Sequence, residues 1–369
     1  MPRIPVAILG ATGAVGQRFV QLLADHPWFR IAALTGSERS AGRPYGTACR
    51  WVVPGEMPEA VRRMTVLPST PEALTAAAPD VRLLFSALPS GVAREAEPAL
   101  AAAGYAVCSN ASAHRLDSDV PLLIPEVNAD HLALIPHQQR RRGWPGFLVT
   151  SPNCSTTGIV LPLKPLHEAF EVRRVQVVTL QAVSGAGYPG VPSMEILDNV
   201  IPYIAGEEDK LEQEPRKLLG RVVEGRVEEA PITLSAQVHR VPVFDGHLAA
   251  LSIEFATEPT PEAVAEVLRD YRPPSEVAAL PSAPKRLLIV RQEPDRPQPR
   301  RDRDAEGGMA VTIGRIRRCP LFHIRLVSLV HNTLRGAAGG AILNAELLVQ
   351  AGWVPSEHHS SGLGVTKMG

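Results

Sequence analysis

The sequence predicts an α/β protein in two parts: a doubly wound parallel sheet, then an α+β region built on a mixed or antiparallel sheet. Three observations carry this expectation. The first apolar run ends in a glycine loop that opens into a helix. Short strands and helices then alternate as far as Cys108. After about Ser151 the strands lengthen, alternate in polarity and are joined by short turns.

Ile4 to Leu9 is a short apolar run and reads as a buried strand. It meets Gly10-Ala-Thr-Gly13-Ala-Val-Gly16, and Gln17 to Leu23 has helical spacing. Strand, glycine loop and helix form the opening unit of a dinucleotide-binding domain. Glycine permits φ > 0 and close backbone approach, and the helix N-terminus offers free N–H groups to a pyrophosphate. Ile31 to Thr35 and Val81 to Ser86 read as strands, Ala93 to Ala103 as an alanine-rich helix, and Ala106 to Cys108 as a further strand.

In the second part Cys154 to Phe170 reads as a helix and Arg174 to Val183 as an alternating strand. Asp209 to Leu219 is a charged amphipathic helix. Ile232 to Val243 and His247 to Ala256 read as strands about a turn at Phe244-Asp-Gly246. Pro261 to Tyr271 is another helix, and Met309 to Ile316 and Leu321 to Leu329 are strands about a short basic turn. Thr333 to Gln350 is a small-residue helix. The expected division is 1–152 for the cofactor domain, completed by 333–369, and 153–332 for a catalytic and oligomerisation domain. Arg291 to Glu306 has the composition of a solvated linker, and Gln139 to Gly143 that of a basic surface loop.

Composition narrows the function. Thirty-eight basic and 38 acidic side chains give zero formal net charge, so no broad basic field serves a nucleic-acid backbone. No run reaches the roughly 18 apolar residues of a membrane helix. Ile4 to Gly16, after Arg3, has the look of a signal-peptide core, but its three glycines fit the cofactor loop better. Four cysteines lie far apart without a CxxC pair, which fits a reducing cytoplasm and no metal site. His358-His359 reads as a flexible tail rather than a metal site.

Two motifs carry chemistry. The second strand runs into Gly36-Ser37-Glu38-Arg39-Ser40, where hydroxyls and a guanidinium suit a 2′-phosphate and so NADP; Glu38 is the contrary signal, for NAD. Ser151-Pro-Asn-Cys154-Ser-Thr-Thr places a thiol at a helix N-terminus. There the dipole is expected to lower its pKa and favour a nucleophilic thiolate. Cys49, Cys108 and Cys319 read as ordinary structural thiols.

The chain resembles the aspartate-semialdehyde dehydrogenase family, in its archaeal and fungal type. The matching stretches include GATGAVG (10–16), SERSAG (37–42), SNASAHR (109–115), SPNCSTT (151–157), QAVSGAG (181–187), IPYIAGEEDK (201–210), HRVPVFDGH (239–247) and NTLRGAAGG (332–340). RPQPRRDRD (296–304) also resembles a family segment, which argues against the free linker.

The resemblance implies a second domain like that of glyceraldehyde-3-phosphate dehydrogenase and a homodimer or homotetramer. It also implies NADPH-dependent reduction of β-aspartyl phosphate to aspartate semialdehyde, feeding lysine, threonine, methionine and isoleucine synthesis. Cys154 matches the nucleophile and His247 the acid–base histidine. Gln181 would orient the acyl carbon, and Asn153 would support the oxyanion or phosphate. Arg240 would hold the α-carboxylate, Glu207 the ammonium, and Lys210 and Arg115 the phosphoryl group. Gly10, Thr12, Gly13, Ala14, Val15, Gly16, Ser37, Arg39, Ser40, Ser86, Ser184 and Gly185 would contact NADP, with Asn332 near the nicotinamide. Read alone, Glu207 and Lys210 are a simple helical pair, and His247 is a turn histidine. The rival on the same scaffold is a malonyl-CoA or succinyl-CoA reductase; a non-enzymatic NADP-binding regulator is the rival of another class.

Overall fold

The computed structural model describes residues 3–355. Six parallel strands form the first sheet: β1 (Ile4–Leu9), β2 (Phe29–Gly36), β3 (Val66–Pro68), β4 (Leu83–Ser86), β5 (Ala106–Ser109) and β6 (Phe147–Thr150). Their order is β3-β2-β1-β4-β5-β6, so the order reverses between β1 and β4. In such sheets the crevice at the carboxyl ends of those two strands is where ligands bind. Helix α1 (Ala14–Leu23) follows the glycine loop and buries Phe19, Val20 and Leu23 against the sheet. Burial of each contributes roughly 1.5–3 kcal/mol. β3 and β6 are too short to show a period in sequence.

The second sheet has the order β10-β7-β11-β14-β13-β12. Its strands are β7 (Val172–Gln181), β10 (Thr233–Arg240), β11 (His247–Phe255), β12 (Leu288–Val290), β13 (Val311–Arg318) and β14 (Ile324–Val330); β8 (Arg221–Val223) and β9 (Arg226–Glu228) form a separate hairpin. β10 pairs parallel with β7, and β7, β11, β14 and β13 pair antiparallel. β10 and β11 are therefore not the hairpin their turn suggested. β7 lies between them, and residues 241–246 cross its end, where Val241 N–H donates to Gln181 O and Val183 N–H to Val243 O. The crossing sets the ends of three strands side by side.

Helix α2 (Cys154–Phe170) lies on this sheet and contains two prolines. Pro162 has no N–H to give the carbonyl of Gly158, and the buried hydroxyl of Ser328 on β14 donates to that carbonyl at 2.7 Å instead. Helix α3 (Glu207–Leu218) packs under β10. Its Glu208 and Glu212 accept from the N–H groups of Val238 and Ala236, satisfying the edge strand.

After β14 the chain makes a π-helical turn (Leu334–Ala338) and then α4 (Gly339–Gln350), which is buried almost throughout. Ile342, Leu347 and Leu348 join Val6, Phe19 and Cys108 in one core, and Glu346 accepts from His26 Nε2 at 2.7 Å. The Pro- and Arg-rich run is ordered, not a free linker. Asp302 is buried there, accepts from Arg296 and from the N–H of Gln298, and pairs with Arg291. Gln139 to Arg142 is likewise not a loop but the last turn of a helix (Ile135–Arg142) closed by Gly143. Arg142 grips Asp119 through two bonds of 2.6 Å and Asp117 at 2.9 Å. Cys49 and Cys108 are buried, and all four cysteines are free. Among the described residues no helix is long and apolar enough to cross a membrane. His358 and His359 lie outside the described residues.

Candidate active site

The glycine loop sits at the sheet's reversal point. Gly10 has φ +69°, and a Cβ there would meet the carbonyl oxygen of Ala87, after β4, at 2.8 Å. A Cβ on Gly16 would collide with the carbonyl oxygen of Gly10. Both glycines are thus required by the protein's own packing. Gly13 differs: it caps α1 without a side-chain hydrogen bond, and the nearest atom to a Cβ there is 3.5 Å away. Thr12, Ala14 and Val15 flank it, half-buried, and the first N–H groups of α1 have no intrahelical partner. This is an open anion cradle and fits a pyrophosphate. Ser37 and Arg39 are exposed past the end of β2, Ser40 is buried beneath them, and Arg39 makes no ion pair among the described residues. Ser86, at the end of β4, is wholly enclosed.

A cavity of about 280 Å³ continues from this loop, lined by Ala14, Arg18, Ser184, Tyr188, Phe244 and Thr333 among others. Asn332 braces its wall: its Nδ2 donates to Ser184 Oγ and its Oδ1 accepts from Gly246 N–H, each at 2.8 Å.

Beside the cavity, the ends of four strands form one rim. Gln181 ends β7, Arg240 ends β10, His247 starts β11 and Val330 ends β14; Arg240 pairs with Gln181, and His247 with Val330. A Cβ on Gly185 would lie 2.8 Å from an Arg240 nitrogen and 2.9 Å from His247 Nε2. Arg240 is buried, with one nitrogen donating to Ala182 O at 2.8 Å. Gln181 is buried, its amide 3.3 Å from Thr179 Oγ1.

Cys154 is the first residue of α2. Asn153 caps the helix, its Oδ1 accepting from Ser155 N–H at 2.8 Å and Thr156 N–H at 3.2 Å. The Asn153 Nδ2 donates to Glu207 Oε1 at 2.7 Å, and Lys210 Nζ donates to Glu207 Oε2 at 3.2 Å. Glu207 and Lys210 thus form the simple helical pair, yet the buried carboxylate also faces the nucleophile's cap. Glu208 is turned away, to β10. Gly336, in the π-helical turn, lies against the cysteine: a Cβ there would be 2.7 Å from that of Cys154.

The expected thiolate is not favoured in this pocket. Burial and the carboxylate of Glu207 push the Cys154 thiol up to about 12, against the guanidiniums of Arg115 and Arg240. The Ser155 N–H also favours the anion, but it is shared with Asn153 Oδ1 and does not outweigh burial. His247 is held neutral: burial, Arg240 and His331 bring it down to about 3. The backbone N–H of Ala182 donates to its Nδ1 at 3.0 Å, so the ring proton sits on Nε2, which has no partner among the described residues.

Two buried acids escaped the sequence reading. Glu214 Oε2 accepts from Asn153 N–H at 2.6 Å, and its Oε1 from Arg115 at 2.9 Å. Glu126 pairs with Arg335 at 2.6 and 2.8 Å, tying down the turn that carries Gly336. Glu214 lies two helical turns beyond Glu207, on the same face, and that spacing was the available signal.

Residues 5–135 match the model of the semialdehyde dehydrogenase NAD-binding domain, and 163–335 that of the semialdehyde dehydrogenase dimerisation domain. An aspartate-semialdehyde dehydrogenase of Methanothermobacter thermautotrophicus is 53% identical over 94% of this chain and 99% of its own. A Candida albicans aspartate-semialdehyde dehydrogenase, solved with NADP, superposes with a TM-score of 0.87 at 42% identity, covering 96% of this chain and all of its own. A malonyl-CoA reductase (NADP) of Metallosphaera sedula is 40% identical over 95% of this chain and 98% of its own. With these family models and relatives, the chain belongs to the aspartate-semialdehyde dehydrogenase family.

Proposed function

We propose that the chain reduces β-aspartyl phosphate to aspartate semialdehyde through a thioester on Cys154. The observation that carries this is a half-buried thiol at the start of α2 whose cap, Asn153, is bonded to Glu207 and to Glu214, the latter holding Arg115, with buried Arg240 at the neighbouring strand ends. The two guanidiniums suit the phosphoryl and α-carboxylate ends of the substrate, and the Glu207 carboxylate suits the ammonium end. Cys154 attacks the acyl carbon; the S–C bond forms, the C–O bond to phosphate breaks, and the thiol proton leaves on the phosphate. His247 does not take that proton, because its Nε2 already carries one. Arg115 and Lys210 offset the charge of the departing phosphate. NADPH, when bound, supplies a hydride to the acyl carbon held on Cys154. The Nε2–H of His247 then donates to the oxyanion, with Gln181 and Asn153 orienting the acyl group. Collapse of the oxyanion breaks the C–S bond, releases the aldehyde and leaves the Cys154 thiolate, which takes up a proton from solvent to restore the thiol.

The cradle at Gly13, with Arg39 and Ser40 beyond β2, supports NADP rather than NAD, as does the cofactor in the Candida albicans relative. Ser184, Gly185 and Asn332 would complete that site, while Ser86 is enclosed behind it and offers the cofactor no surface. The role is in the synthesis of amino acids derived from aspartate, in the cytoplasm. We read the assembly as a homodimer or homotetramer, which the exposed Leu180, Met194, Leu197 and Tyr203 support.

The test is NADPH formation from aspartate semialdehyde with phosphate or with coenzyme A as acceptor. Phosphate-dependent turnover is the expected result. Turnover only with coenzyme A would favour the thioester reductase, the activity named for the Metallosphaera sedula relative.

A further inference from the structure

The inner face of α3 carries four charges at spacings of 3, 4 and 3: buried Glu207, half-buried Lys210, and buried Glu214 and Lys217. The first two belong to the substrate pocket described above; the last two do not reach it. Lys217 is 4% exposed, and its ammonium donates to the carbonyls of Arg115 at 2.7 Å, Asp117 at 2.7 Å and Val120 at 2.8 Å. All three of its protons are spent on one loop. Glu214, 1% exposed, holds the Arg115 guanidinium with one oxygen and the Asn153 N–H with the other. A second Arg115 nitrogen donates to Asn110 O at 2.8 Å, while its buried Nε has no partner among the described residues. Arg115 is thus fixed at both ends, backbone and side chain, with a donor left over.

We propose that Glu214 and Lys217 are positioning residues for the phosphoryl end of the substrate. Lys217 sets the loop that carries Arg115. Glu214 sets the Arg115 side chain and locks it to the residue that caps the nucleophile's helix. This rests on the reading of Arg115 as the phosphoryl contact. Neither residue touches substrate; both act through Arg115, and Glu214 also through Asn153. The arrangement joins the leaving group's cation to the nucleophile's backbone through one carboxylate, so the two keep their separation whatever the rest of the pocket does. A charge on Arg115 already shared with Glu214 also holds phosphate less tightly than a free guanidinium, which suits an enzyme that must release it.

The experiment is steady-state kinetics of Lys217→Met and Glu214→Gln in full-length protein, with phosphate and aspartate semialdehyde varied separately. Thermal melting confirms that each variant is folded. Lys217→Met is expected to raise the phosphate KM at least about tenfold while the aspartate-semialdehyde KM moves less than about twofold. Glu214→Gln, of the same shape, is expected to give the same split, and also to change the rate of Cys154 alkylation by iodoacetamide more than about twofold, since Glu214, unlike Lys217, touches Asn153. It keeps the test decisive if Lys217→Met does not fold. Equal rises in both KM values, or a loss of kcat alone, in a folded variant would overturn the proposal. Absence of phosphate-dependent turnover in the unmodified protein would instead overturn the reading of Arg115 on which it rests.

Discussion

Two helix N-termini meet at the active-site cleft, and they are built in opposite ways. The first turn of α1 has no side-chain cap, and Gly13 leaves the space in front of it open. The first turn of α2 is capped by Asn153, which is itself held by Glu207 and Glu214. An uncapped end presents its N–H groups to a ligand's anion. A capped end has used them, and what remains is orientation. The difference teaches that a cysteine at a helix N-terminus is not a thiolate by that fact alone. Here the Ser155 N–H is shared with Asn153, and burial and Glu207 outweigh what it offers the thiolate.

The largest test of that contrast removes the nucleophile. Cys154→Ala should cut phosphate-dependent turnover by more than about a hundredfold while leaving the NADP dissociation constant within about twofold, measured by fluorescence titration. Loss of cofactor affinity in this variant would show that the two helix ends are not independent. At the open end, Arg39→Ala should weaken NADP by roughly tenfold to a hundredfold, the worth of about 1.5–3 kcal/mol for charge-assisted bonds, with little effect on NAD. Equal losses for both cofactors would place the 2′-phosphate elsewhere. The smallest effect belongs to the capped end. Glu207→Gln removes an anion beside the thiol, so the thiol pKa should fall and iodoacetamide labelling near pH 8 should speed up severalfold. An unchanged or slower rate would mean that burial alone holds the proton.

The open end was the more legible of the two in sequence. Gly10, Gly13 and Gly16 sit within one loop, and the strand before it is a continuous apolar run, so local pattern sufficed. The site residues of the second part were located by motif resemblance, and their assembly depends on topology no local pattern states. Gln181, Arg240 and His247 converge because β7 lies between β10 and β11, whereas the turn at 244–246 reads as a hairpin. Glu214 and Lys217 were hidden for another reason. A charged helix reads as solvated, and only the packing of α3 beneath the Arg115 loop shows that one of its charged faces is interior. Asp302 misled in the same way within a run whose composition suggested a linker.

The bond from Ser328 to the carbonyl left free by Pro162 has a consequence for how such a scaffold changes over time. A helix stitched at mid-length to the strand beneath it has a fixed longitudinal setting. Sliding by one residue, about 1.5 Å, would strand a buried acceptor and unseat the hydroxyl. The sulfur is therefore indexed to the floor of the cleft. A change of acyl donor on this frame would leave the attacking atom where it is, and would have to be written into the walls around it.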